Sequence, residues 1–311
     1  MKSSTSEINC PICKSTNFDN IGLYKNKHNF FSNIKLTKCK KCKLVFANPM
    51  PSPEELDDYN SSFFNNAYGT FKIDKITNAY FNGISKIRIN YLLKYLNKNR
   101  IKCSKVLEIG PGPGNFADNW LKLHSNTKYF AVETDSTCHE SLKKIGVDVI
   151  DLKKSESLKV DLIVISHVLE HVSDPISFLN TITFNLKKGG VLFIDVPCSD
   201  YLHKELHEPH LLFFDKLPMN TLLKKINFKN IEVSYHGEEI SKLINKSIYK
   251  RIYRFIKNKL IRLGVIWPFA FKHSGMELIK DRLERASVSS SNAHKENTKP
   301  SWWLRSLSTK K

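Results

Sequence analysis

The segment Val106-Leu107-Glu108-Ile109-Gly110-Pro111-Gly112-Pro113-Gly114 constrains this chain more than any other. An apolar run ends in an acid and then opens into a turn with glycine at every second position. A buried parallel strand, a glycine turn and a helix form the unit with which doubly wound α/β folds bind adenosine cofactors, in the crevice at the carboxyl ends of the strands. The prolines narrow the choice of cofactor. Pro111 and Pro113 carry no backbone N–H, so the loop is a poor cradle for a pyrophosphate, which is held by such donors. Asn115 also stands where a GxGxxG fingerprint places its third glycine.

A turn that admits close backbone approach without requiring phosphate suits S-adenosylmethionine better than NAD. Around it, strand and helix signals alternate. Strands are expected at Lys105–Ile109, Tyr129–Glu133, Val147–Ile150, Asp161–Ser166, Val191–Val196 and Phe228–Ser234. Helices are expected over 75–97, 115–124, 136–145, 174–187 and 215–226. Such alternation implies an α/β fold, a doubly wound and mostly parallel sheet with helices on both faces. Glu133 ends the second strand roughly 20 residues after the turn, where a carboxylate can accept both ribose hydroxyls. After the fourth strand come Ser166, His167, Glu170 and His171, at the end of the sheet that lines the crevice. Asp174-Pro175 then opens a helix with proline at its first position. Beyond the fifth strand, His203, His207, Glu208 and His210 crowd one loop. That group could bind a metal, supply a general base near neutral pH, or be an ordinary polar loop with structural histidines.

Cys10-Pro11-Ile12-Cys13 and Cys39-Lys40-Lys41-Cys42 form paired CxxC knuckles. Four thiolates at this spacing close a tetrahedral Zn²⁺ site, and with no open position the metal is structural. A disulfide reading is disfavoured because Met1 to Asn9 lack the apolar stretch of a secretory signal. A redox CxxC normally occurs once, at a helix start. Lys14 and Lys43 stand where such knuckles often have glycine. The zinc module is expected over 1–52, ending in the proline-rich exit Asn48-Pro49-Met50-Pro51-Ser52-Pro53. Cys103, Cys138 and Cys198 read as reduced, packed thiols.

The formal net charge of +19 is unevenly placed, with 17 Lys+Arg against 4 Asp+Glu from Ser241 to Lys311. Within 241–263, Ile244, Ile248, Ile252, Phe255 and Ile256 share one side of a helical wheel, opposite Lys246, Lys250, Arg254 and Lys257. That helix either lies on an anionic membrane surface or packs its apolar stripe on the α/β core. Residues 286–311, rich in Ser, Asn and Lys, read as a disordered basic tail that nevertheless holds Trp302-Trp303. The remaining domain spans 53–285, with 275–280 as its last strand. The expected compartment is the cytoplasm, peripheral to the inner membrane face if the basic helix binds lipid.

Taken in order, CPIC, CKKCKLVFANPMPSPEEL, VLEIGPGPG, Glu133, HVLEHVSDP, LKKGGVLFIDVP and HLLFF resemble one group of proteins. They are similar to class I S-adenosylmethionine-dependent methyltransferases with an N-terminal zinc ribbon, related to bacterial sugar C-methyltransferases, over roughly residues 8–280. The resemblance implies that Glu108 and the turn Gly110, Pro111, Gly112 and Gly114 hold the methionine part of the cofactor, and that Glu133 holds the ribose. It places Asp151 and Leu152 near the adenine, with Ser166 and His167 closing the site. It puts His171 and His210 toward the acceptor, beside Glu170. In the sugar enzymes a Glu-His pair precedes the aromatic end of the late loop. Here Pro209 precedes His210, with Glu208 one residue earlier, so the acceptor atom stays open.

The expected activity is methyl transfer to a sugar, nucleotide sugar or surface glycan with a histidine general base. The alternatives are a methyltransferase for another small metabolite or lipid, and a zinc-ribbon nucleic-acid-binding protein with a methyltransferase-like core. The second draws on the lysines around the knuckles and is disfavoured because the ribbon runs directly into the helix start at Pro53-Glu54-Glu55-Leu56.

Overall fold

The computed structural model describes residues 8–24, 34–61, 74–151, 158–204, 209–245, 274–289 and 291–311, with isolated positions between 249 and 260. Its centre is an eight-stranded sheet. In chain order the strands are β4 (Lys105–Ile109), β5 (Lys128–Val132), β6 (Asp148–Val149), β7 (Val160–Ser166), β8 (Leu186–Pro197), β10 (Phe228–Glu239), β11 (Glu296–Asn297) and β12 (Ser301–Lys310). Across the sheet they run β11-β10-β12-β8-β7-β4-β5-β6. β6, β5, β4, β7 and β8 are mutually parallel. β12 is antiparallel to both of its neighbours, β8 and β10.

Alternation along the central strands divides the apolar side chains between two cores. Val106, Leu162, Val164, Val191 and Phe193 point toward helix α2 (Lys75–Lys98) and helix α3 (Asn115–Leu123), meeting Ile89, Leu92, Phe116 and Trp120. Leu107, Ile163, Ile165, Leu192 and Ile194 point the other way, toward α5 (Pro175–Thr183) and α6 (Lys216–Lys225), meeting Leu179, Ile182, Met219 and Leu222. Strands covered on both faces must be apolar throughout, which is why they read as continuous hydrophobic runs. The chain leaves β4 toward β5 on one side and returns to β7 on the other. This reversal puts the topological switch point at the carboxyl end of β4, beside the glycine turn.

The N-terminal module forms a separate antiparallel sheet, β1 (Phe18–Leu23), β2 (Lys35–Cys39) and β3 (Val45–Asn48). Its fourth strand, β9 (Leu212–Phe213), comes from the late loop of the α/β unit and pairs with β3. The helix started by Pro53 runs to Ser61 as α1. The helix expected over 174–187 is shorter, because β8 begins at Leu186. Asp174 caps it, accepting from the N–H groups of Ile176 and Ser177 at 3.1 Å each. The region expected as helix over 136–145 is a short 3₁₀ turn, Ser136–Cys138, followed by α4 (His139–Lys144).

The C-terminal expectation needs correction. Residues 286–311 are not a disordered tail: they hold the end of α8 (Arg282–Ser289), then β11 and β12. Nor is 275–280 the last strand. β12 fills the slot between β8 and β10, with Trp303, Leu304, Leu307 and Ser308 buried. Its polar residues are small serines and threonine that fit a close-packed strand, and its single internal cation, Arg305, is paired inside the protein with Asp195. Of the basic segment 241–263, only α7 (Ile240–Ile244) and scattered positions up to 260 are described. The other residues of that segment lie outside the described residues. Among the described residues no helix is long and apolar enough to cross a membrane.

Candidate active site

A cavity of 710 Å³ opens at the carboxyl ends of β4, β5 and β7. Its floor is the glycine turn. Gly110 has φ +65° and lies against Val168, whose Cγ2 would be 2.5 Å from an added Cβ. Gly112, at φ +55°, donates its N–H to Glu133 Oε2 at 2.8 Å. The other carboxylate oxygen of Glu133 accepts from the Asp135 N–H at 2.9 Å. Each oxygen retains lone-pair capacity for a hydroxyl. Gly114, at φ +86°, sits at the start of α3, where a Cβ would press on Leu142 and Ile145. It therefore shapes the turn without lining the cavity.

Glu108 is buried at the end of β4 and accepts a 2.7 Å hydrogen bond from the Tyr129 hydroxyl. Burial pushes its carboxyl up to about 7, against the opposing pull of that hydroxyl and of Arg88. Pro111, Ser166 and His167 line the cavity as expected, with His167 at φ +56°. Asp151 is exposed beyond the two-residue edge strand β6 and is not among the cavity-lining residues. Leu152 lies outside the described residues, as do His207 and Glu208.

Of the three residues expected to act on an acceptor, only His171 reaches the cavity wall among the described residues. His210 and Glu170 lie behind it, both about 1% exposed. The His171 and His210 rings meet edge to face with centroids 4.8 Å apart. His171 Nδ1 contacts the Pro209 carbonyl at 3.1 Å. A carbonyl can only accept, so Nδ1 carries the proton and the neutral ring has its lone pair on Nε2. His210 Nδ1 lies 2.9 Å from Asp200 Oδ2, which also pairs with Lys204 at 3.0 Å. Burial opposes the Asp200 charge, but His210 and Lys204 hold the carboxyl well below its usual range. Glu170 lies 3.3 Å from His167 Nδ1. Although burial works against its charge too, His167, His171 and His210 keep it lowered.

Sequence reasoning missed one whole wall. Tyr80, Phe81, Ile84, Ser85 and Arg88 reach the cavity from α2, and Trp302 and Trp303 from β12. Arg88 Nε is hydrogen-bonded to Asp195, which also pairs with Arg305. The aromatic and apolar run Trp302-Trp303-Leu304 was the available signal for a strand. The contribution of α2 had none, because its apolar spacing marks a packed helix without showing which end reaches a ligand.

The four knuckle cysteines converge, their sulfurs all within 4.8 Å of one another. Cys10 and Cys42 are 3.5 Å apart, and Cys13 and Cys39 3.4 Å. A tetrahedron with Zn–S of about 2.3 Å has edges of about 3.8 Å, so the cluster fits Zn²⁺. Lys14 and Lys43, after each knuckle, adopt φ +59° and +62°, the left-handed conformation that glycine takes without strain. This module also grips the late loop. The Tyr24 hydroxyl donates to the His210 carbonyl at 2.8 Å, and the Ala47 N–H donates to the Leu211 carbonyl at 2.8 Å.

Comparison with known proteins gives the following. Residues 83–233 match a family model described as a methyltransferase domain. A search of curated protein sequences found no match. Among solved structures, a possible histamine N-methyltransferase of Thermotoga maritima is similar at 17% identity and TM-score 0.43, covering 74% of this chain and all of that one. A methyltransferase of Archaeoglobus fulgidus gives 14% identity and TM-score 0.44, over 72% of this chain and 94% of that one. The plantazolicin methyltransferase BpumL, solved with S-adenosylhomocysteine, gives 13% identity and TM-score 0.47, over 83% and 98%.

Proposed function

We propose that this chain, whose residues 83–233 match a methyltransferase-domain family model, is an S-adenosylmethionine-dependent enzyme that methylates a sugar, nucleotide sugar or surface glycan, with His171 as general base. The observation that carries the acceptor reading is the make-up of the one 710 Å³ cavity. Glu108, Glu133 and the glycine turn form one end, while His171, Ser173, Asp174, Ser177, Lys204 and the Trp302 ring provide further walls. An aromatic face among hydroxyl, carboxylate and ammonium groups suits a ring that carries many hydroxyls and C–H faces.

When bound, the cofactor supplies a methyl group already activated on a sulfonium, so the protein's work is alignment and proton removal. Glu133, held by two backbone N–H groups, would accept the ribose hydroxyls. Glu108 and Arg88 supply opposite charges for the ammonium and carboxylate of the methionine part. The apolar and aromatic residues Tyr80, Phe81, Ile84 and Trp302 exclude water. His171 Nε2 receives the acceptor proton, and the ionised Asp200 behind His210 favours the added positive charge. The knuckle cysteines would hold a structural Zn²⁺, and their module braces the late loop through Tyr24 and β3.

The test is transfer from labelled S-adenosylmethionine to a panel of nucleotide sugars and glycan extracts, with products identified by mass. Transfer only to small amines, peptides or lipids would replace the sugar by another metabolite. For location, we propose contact with an anionic membrane through the end of α7 and the segment that follows it, where Ile244, Tyr249, Tyr253 and Phe255 are exposed. Failure to co-sediment with anionic liposomes removes that partner.

A further inference from the structure

A second cavity, of 520 Å³, lies between the cysteine module and the first turn of α6. Its lining differs in charge from that of the first. Lys38 and Lys43 face it from the knuckle side, Lys216 from the start of α6, and the rings of Tyr201 and Tyr235 complete it. Its one carboxylate, Asp215, is already engaged: it caps α6 through the Lys216 N–H at 2.6 Å and accepts from the Tyr235 hydroxyl. Among the described residues no carboxylate forms an ion pair with Lys38, Lys43 or Lys216. Lys216 Nζ lies 4.3 Å from the centroid of the Tyr235 ring, which steadies it at the cavity without neutralising it.

We infer that this cavity is an anion site for a phosphate or diphosphate group. Three lysines line one concave space, and the single carboxylate among its described lining residues, Asp215, is engaged with the α6 N-terminus and the Tyr235 hydroxyl. A single carboxylate ligand would leave most of that charge unmatched, whereas a diphosphate meets it. Lys43 strengthens the case. It occupies the left-handed position after the second knuckle, where glycine would be relaxed. The side chain that makes this position strained is the one that reaches the cavity. The walls are held together independently of any ligand: Lys225 of α6 donates to the Ile12 carbonyl inside the first knuckle at 2.8 Å, and β3 pairs with β9. The cavity also borders Tyr201 and Leu202, in the turn whose Asp200 pairs with His210. The site rests on this geometry and not on the methyl-transfer reading.

The experiment is calorimetric titration of the full, zinc-loaded chain with inorganic pyrophosphate at low salt, with S-adenosylhomocysteine titrated separately. Saturable binding at one equivalent is expected, weakening as salt is added. Each of Lys38→Gln, Lys43→Gly and Lys216→Gln should weaken it about tenfold, with zinc content and S-adenosylhomocysteine affinity unchanged. Lys43→Gly is the decisive variant because it should hold or raise the melting temperature while losing anion affinity. Absence of saturable pyrophosphate binding overturns the inference, as does a triple variant that binds as tightly as the unaltered chain. Failure of S-adenosylhomocysteine binding would instead strike the cofactor reading. The source of the phosphoryl group is separated by a further arm. If pyrophosphate raises the acceptor KM with kcat unchanged, the anion belongs to the acceptor; if KM stays unchanged, it is a free ion.

Discussion

The hydroxyl of Tyr24 donates a 2.8 Å hydrogen bond to the backbone carbonyl of His210, across 186 residues of sequence. With the pairing of Val45 to Phe213 and Phe46 to Leu212, it makes the cysteine module part of the wall behind the cavity. Among the described residues, the module's hydrogen bonds to the body of the α/β unit reach the late loop and α6, and none reaches the glycine turn or Glu133.

This separation predicts what metal loss does. Removing Zn²⁺ with a chelator, or replacing Cys39 by Ser, should release β3 and with it the loop around His210. Turnover is expected to fall at least about tenfold, while S-adenosylhomocysteine affinity changes little. Metal analysis should give one zinc per chain, and turnover that survives complete zinc removal would contradict the arrangement.

Glu108 predicts a pH dependence of cofactor binding. Burial raises its carboxyl from the ordinary value of 4.5 to about 7. In the empty protein its contribution to stability is fully present below about 4.5 and is lost as pH rises through about 7. A cation placed beside it favours the ionised form, so binding below pH 7 should release a proton. Affinity for S-adenosylmethionine is expected to tighten between pH 6 and 8, and Glu108→Gln should flatten the profile. Calorimetry in buffers of different ionisation heat counts the proton directly.

His171 and Asp200 make distinguishable contributions. His171→Ala should lower kcat about a hundredfold or more, the scale of general base catalysis. Asp200→Asn, which leaves His210 without its ion-pair partner, should lower kcat about tenfold and shift the pH–rate profile. Neither variant should alter S-adenosylhomocysteine affinity. An Asp200→Asn enzyme with an unchanged profile would assign Asp200 to structure alone.

The buried partners of β12 predict acid sensitivity. His236 Nε2 contacts Ser234 at 2.8 Å, and its Nδ1 accepts from Arg305 at 3.3 Å. Burial, then the charge of Arg305, lowers its pKa from 6.5 to about 2. Its contribution is therefore present above about 6.5 and lost as pH falls toward 2. Between pH 7 and pH 5.5 the loss is about 1 kcal/mol. Urea titrations at pH 7 and 5.5 should show that loss, and His236→Gln should abolish it.

The boundaries of β4 were legible to the residue, since a short apolar run closed by a glycine turn admits little else. Glu133 was legible from spacing, and the four cysteines from their paired pattern. The arrangement of the histidines was not. His171 and His210 look equivalent in sequence, and only the packed loop sets one at the wall and the other behind it. β12 was not legible: its serine and lysine content reads as solvated chain, whereas Arg305 and the serines are buried between β8 and β10.

The sequence by itself determined the local units: the strand and glycine turn, the capped helix at Asp174, the thiolate knuckles and the alternating α/β order. These follow from hydrophobic period, backbone freedom and ligand spacing between residues close in the chain. The tertiary structure alone decided that Arg88 and Trp302 wall the cavity, that Tyr24 holds the His210 loop, and that Lys38, Lys43 and Lys216 line one cavity. Those contacts join residues tens to hundreds of positions apart, and they exist only once the sheet has fixed which ends meet.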